Sequence, residues 1–131
     1  MPRIRSEFHI RNDTATLFED VDIDTYDRVG KLGIDAQAVL AASGESAEFL
    51  FREGGSADDT VTIAFFGGAG TQAQLKLSGT GSKGSHLVPG DAGIIVASVT
   101  DSADPLSEIE IGTALADWVD GDAVECQLYK I

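Results

Sequence analysis

Short runs of alternating apolar and polar residues, broken by Gly, Ser, Thr and Asp, set the grammar of this chain. In "QAQLKLS" (72–78), Ala73, Leu75 and Leu77 fall on one side of an extended backbone and the polar residues on the other. "AEFLFRE" (47–53) and "TVTIAFF" (60–66) read as two strands joined by the loop "GGSADD". "SEFHIR" (6–11) alternates weakly, while "FEDVDIDTY" (18–26) sets Val21 and Ile23 against Asp20, Asp22 and Asp24. "IIVASV" (94–99) is a continuous apolar run, which predicts a strand buried on both faces. "SEIEIG" (107–112) alternates Ile109 and Ile111 with Glu108 and Glu110, and the closing "DGDAVECQLYKI" predicts a turn and a last strand with Val124, Cys126 and Leu128 inward.

Two segments are ambiguous. "LGIDAQAVL" (32–40) puts Leu32, Ile34, Ala36, Ala38 and Leu40 on one strand face, yet its alanines also suit a short helix from Asp35 to Ala42 ended by Gly44. "GTGSKGSHLVPGDAG" (79–93) is the longest stretch with no period and reads as irregular. Together the pattern predicts a mainly-β fold: a small β-sandwich or β-barrel of about seven to nine short strands, with at most one short helix. "SGESAEFLFRE" (43–53) also echoes "DGDAVECQLYK" (120–130). The echo is either a two-fold supersecondary repeat or the common wording of a tight turn that feeds a strand.

At 131 residues the chain is long enough to bury a core. No stretch approaches the ~20 apolar residues of a membrane span, so no membrane partner is expected. Residues 1–17 read as an extended N-terminal arm, with no apolar signal region, before a single β-rich domain over 18–131. The charge balance is decisive in one respect. Twenty-two acids against nine bases give a formal charge of -13, which argues against direct nucleic-acid binding through a broad basic surface. The arm gathers Arg3, Arg5 and Arg11, the residues best placed to contact an acidic partner.

Candidate chemistry is thin. Residues 79–84 match G-x-G-x-x-G, but "SHLVPGD" comes next where a dinucleotide site needs a helix. Asp20, Asp22 and Asp24 imitate the opening of a calcium loop and form a weak metal candidate, but the Gly and Glu of that motif are replaced by Thr25 and Lys31. His9, His86 and the single Cys126 lie at no ligand spacing, and His86 beside Asp91 is the one pair with a catalytic look. No cofactor and no enzymatic activity are expected. Trp118, beside the final turn, either caps the core or anchors a partner or a sugar.

The stretch "EIEIGTALADWVDGDAVECQLYKI" (108–131) resembles the closing segment of tailed-phage, or archaeal tailed-virus, capsid decoration (cement) proteins. The matching residues are Gly112, Ala114, Leu115, Gly121, Asp122, Val124 and Leu128, and "LVPGDAGIIVA" (87–97) is similar to an earlier turn and strand of such proteins. The resemblance implies a non-enzymatic β-rich virion protein that binds major capsid protein subunits on the outer capsid surface, often as a homo-oligomeric trimer. The alternatives are a carbohydrate-binding or adhesive β-sandwich, and another phage structural subunit such as a tail-tube or head-completion protein.

Overall fold

A computed structural model of the chain describes residues 11–65, 71–98 and 109–128. They form ten strands: β1 (Arg11–Thr16), β2 (Val29–Leu32), β3 (Ala38–Leu40), β4 (Phe49–Phe51), β5 (Thr60–Phe65), β6 (Thr71–Lys76), β7 (His86–Pro89), β8 (Ile95–Ala97), β9 (Gly112–Ala114) and β10 (Ala123–Leu128). The fold is mainly β, as the alternation predicts. The helical elements among the described residues are two 3-10 turns, Ile34–Ala36 and Asp91–Gly93.

The strands make two five-stranded antiparallel sheets, ordered β1-β5-β4-β2-β3 and β6-β10-β9-β7-β8. One order becomes the other when β6 to β10 replace β1 to β5, so the chain is a tandem pair with one topology. We call residues 11–65 unit 1 and residues 71–128 unit 2. Backbone bonding repeats with the topology. Leu17 N–H donates to Asp59 O and Asp58 N–H to Leu17 O; in unit 2, Leu77 N–H donates to Asp122 O and Gly121 N–H to Leu77 O. Gly33 N–H reaches Gln37 O at 2.8 Å across the β2–β3 turn, and Gly90 N–H reaches Ile94 O at 2.7 Å across the β7–β8 turn. Phe18 N–H donates to Ala38 O and Ser78 N–H to Ile95 O, tying the chain just past the first strand of each unit to the third. Those strands lie at opposite ends of each sheet, so each bond draws the end of the first strand toward the far edge of its own sheet.

Each interior is filled by alternate strand residues, but bulk is distributed differently. In unit 1, Phe49 and Phe51 meet edge to face at 5.3 Å, and a Cβ on Gly30 would lie 2.5 Å from the Phe51 ring. The equivalent places in unit 2 hold Gly112, Ala114 and Leu87: small where unit 1 is large, and the reverse. The bridge Val21–Gly55 corresponds to Gly81–Trp118, and a Cβ on Gly81 would fall 2.1 Å from the Trp118 ring. Close packing requires such compensation, because an unfilled interior loses its contact energy.

The units share a core. Val29, Ala41, Ala47 and Leu50 of unit 1 belong to the same buried cluster as Leu75, Leu77 and the other interior residues of unit 2. Hence β4, with Phe49, Leu50 and Phe51 all buried, is the strand covered on both faces. The expectation that 94–99 is such a strand fails: β8 ends its sheet, and Ile95 is its one fully buried residue. An apolar run there instead covers Gly90, whose Cβ position lies against Ile94 and Val96.

Other expectations are corrected by the same topology. Residues 18–26 are not a strand; apart from the Val21–Gly55 bridge they form turns that lead into the contact between the units. Residues 32–40 are neither one strand nor a helix but a hairpin, in which Asp35 and Ala36 adopt positive φ of 59° at the turn. The stretch 79–93 contains β7. Residues 109–111 precede β9 rather than forming a strand, although Ile111 is buried. Arg11–Thr16, assigned to the arm on sequence, is β1 and pairs with β5 along its whole length.

Candidate interaction surface

The acidic segment noted in the sequence builds the junction of the two units. Asp22 Oδ1 accepts the Asp24 N–H at 2.8 Å, turning the chain back so that the carbonyls of Ile23 and Asp24 face Lys76. Lys76 Nζ donates to both carbonyls, at 2.7 and 2.9 Å. The Asp27 N–H donates to Lys76 O, and Lys76 N–H returns to Asp27 Oδ2 at 2.7 Å, so the latch is made twice over. Arg28 reaches back to Asp22 O through Nε and across to Ala92 O through Nη1, each at 2.8 Å. Tyr26 OH donates to Asp120 at 2.8 Å, and Asp120 also accepts the Gly79 N–H.

Electrostatics follow from this bonding. Burial raises the Asp27 carboxyl above the ordinary aspartate value, outweighing its bond to the Lys76 amide. The Gly79 amide and then the Tyr26 hydroxyl hold Asp120 below that value, and the same hydrogen bond raises the Tyr26 phenol. A shallow cleft of about 300 Å³ opens beside the latch, lined by Val21, Asp22, Ile23, Asp24, Gly54 and Gly55.

The carboxylates proposed from sequence as a weak metal set do not converge. Asp20 turns to the Ala57 N–H and Asp22 to its own turn, and no group of three or more ligating side chains comes together among the described residues. The cationic groups that residues 22–24 take up are Lys76, on the Ile23 and Asp24 carbonyls, and Arg28, on the Asp22 carbonyl. His86 does not pair with Asp91; its Nδ1 lies 2.9 Å from Glu110 Oε2. Trp118 is 3% exposed with its ring on Gly81, which removes it as a surface anchor for a partner or a sugar and accounts for the glycine at the centre of the G-x-G-x-x-G match. Cys126 is a buried core thiol, pushed up to about 12 by desolvation and by the charges of Glu125 and Asp27. Arg3 and Arg5 lie outside the described residues, and Arg11 opens β1. Sequence reasoning misses Lys76 and Tyr26 as junction residues, because their partners Ile23 and Asp120 lie 53 and 94 residues away along the chain.

No protein-family model matches the sequence, and no curated protein matches it. The fold is similar to the crystal structure of the N base of head fiber gp8.5 in bacteriophage phi29, with a TM-score of 0.68 and 19% sequence identity. The likeness covers 93% of this chain and 98% of that one, so both units and their arrangement are included.

Proposed function

We propose that this chain is a structural protein of a tailed-phage head, which decorates and stabilises the outer capsid surface by binding major capsid protein subunits. The single observation that carries the reading is the fold likeness over almost the whole chain to a phage head-fiber base. A shared small β-motif would have matched one unit; here the tandem arrangement is matched as well. The protein acts as a homo-oligomer, with a trimer favoured, and its role needs no cofactor and no catalytic group. The acidic surface suits recognition of a protein rather than of DNA. Arg3, Arg5 and Arg11 are the basic contacts of the N-terminal end toward the capsid.

The glycan-binding alternative has lost its main aromatic, since the Trp118 ring is packed inside unit 2. The test uses heads of the encoding phage assembled without this protein. Purified protein added to them should bind saturably and appear by electron microscopy as ordered density on the outer shell. Density at the portal vertex or in the tail instead would reassign it to a head-completion or tail role. Absence of binding at every salt concentration would end the head reading.

A further inference from the structure

We propose that the free end of unit 1, formed by Phe18, Leu32 and Ile34, is the surface that seats on the partner, and that the partner offers an apolar centre ringed by Lys or Arg. The identity of that partner as a head protein rests on the proposed head role; the character of the surface rests on exposure, on the unit 2 counterpart and on charge. These three side chains are 60%, 43% and 85% exposed, large values for residues of their size and apolarity. Their backbones converge. Phe18 N–H donates to Ala38 O, Leu32 pairs with Ala38 across the β2–β3 hairpin, and Ile34 opens the turn between those strands.

The tandem repeat supplies an internal control for what the fold alone requires here. Ser78 makes the Phe18 bond, to Ile95 O; Pro89 takes the place of Leu32, paired with Ile95; and Asp91 opens the turn as Ile34 does. The same backbone is therefore built in unit 2 with a hydroxyl, a buried proline and an exposed carboxylate. Among the described residues nothing in the geometry calls for Phe and Ile at the exposed positions of unit 1, and a contact outside the chain would account for them.

Charge fixes the kind of partner. Each apolar residue has a carboxylate beside it: Glu19 follows Phe18, Asp35 follows Ile34, and Glu48 Oε1 accepts the Leu32 N–H at 2.7 Å. Glu19 is held in place by the Leu40 N–H, and the adjacent Lys31 is paired with Glu45 at 2.7 Å. An apolar centre with an acidic rim is complementary to an apolar centre with a basic rim. A second copy meeting this face with the same face would set acid on acid, and a chain with nine basic residues against twenty-two acidic ones is a poor source of a basic rim from any other face, which disfavours a second copy as the occupant.

The test exchanges unit 1 residues for their unit 2 counterparts, Phe18→Ser with Ile34→Asp, in the full chain. Both positions are exposed, so melting should move by no more than about 3 °C. Binding to heads assembled without the protein should weaken at least about tenfold, while Phe18→Tyr with Ile34→Val should retain it. Asp35→Asn should slow association and reduce its dependence on salt. If wild type binds heads and the exchanged variant binds equally well, the patch is overturned and the head reading survives. If wild type itself fails to bind, both fall. If the variant binds heads normally but loses self-association in sedimentation velocity, the occupant is a second copy and the proposal is overturned.

Discussion

Units 1 and 2 share a backbone and differ in what covers them. On unit 1, Val29, Ala41, Ala47 and Leu50 form an apolar outer face that unit 2 buries. The same positions in unit 2 carry His86, Ser98, Glu110 and Thr113, with His86 Nδ1 2.9 Å from Glu110 Oε2. Turn residues differ in the same sense. Gly93 of unit 2 lies under Val29 O, with a Cβ position 2.5 Å away, whereas Ala36 holds the matching place in unit 1 and is exposed. One unit thus presents a face and the other a turn, and the contact is not reciprocal. Strand order and turn bonding are held constant between the repeats, while each side chain answers to its own neighbours.

The largest test of this comparison exchanges volumes between equivalent bridges. Trp118→Gly should cost about 3–5 kcal/mol, as for other buried large-to-small changes. Adding Gly81→Val, which recreates the Val21–Gly55 arrangement, should return about 1–2 kcal/mol of that loss through coupling of adjacent sites. Urea unfolding of the single and double variants measures both, and a double variant no more stable than Trp118→Gly would undo the idea of exchanged volumes.

The junction gives the next effect. Gly93→Ala combines a φ of +76° with overlap onto Val29 O and should cost about 1–3 kcal/mol. Ala36→Gly, its mirror in unit 1, should stay within about 1 kcal/mol of wild type because no second unit covers that turn. Equal costs at the two sites would mean that the turns are not loaded differently.

Smaller still is the pH response of the latch. The Asp27 carboxyl is raised by burial, so its contribution favours folding most below the ordinary aspartate value and declines as pH rises through its folded value. Glu45, Glu53 and Asp120 are lowered, by Lys31, Thr62 and the Gly79 amide respectively, so their contribution is present above the ordinary values and is lost as pH falls through the folded ones. The melting temperature of Asp27→Asn minus that of wild type should therefore grow by a few degrees between about pH 3 and about pH 6. A flat or falling difference would show that the Lys76 interactions outweigh burial. Cys126, which occupies the place of Ile63 in unit 1, should give the least: no reaction with a thiol reagent at about pH 8 until the protein unfolds.

Much of the fold is legible in the alternation. The β-class, the β4–β5 pair and the inward Val124, Cys126 and Leu128 follow from period two alone. The repeat shows in the wrong register, because the echo of 43–53 in 120–130 matches β4 with β10, whereas β4 is equivalent to β9. The true likeness, "GIDAQAVL" with "GDAGIIVA", is hidden because volume exchange and burial by the other unit have changed nearly every side chain. "RNDTAT" gives no strand signal because so many of its residues are polar, and Trp118 cannot be placed until Gly81 is known to lie beneath it. The exposed patch is equally hidden: alternation assigns Leu32 and Ile34 to a common inward face, and only the hairpin turn brings them outside.

Because β1 pairs with β5, nothing closes unit 1 until Phe65 has been synthesised, and from then on it can close without any residue of unit 2. A nascent chain at that stage would carry its apolar outer face uncovered until residues 71–128 arrive. Order of synthesis therefore matters: slow translation just after unit 1 would prolong a sticky intermediate, whereas a chain reordered to begin with unit 2 would start from the half whose corresponding face is already polar.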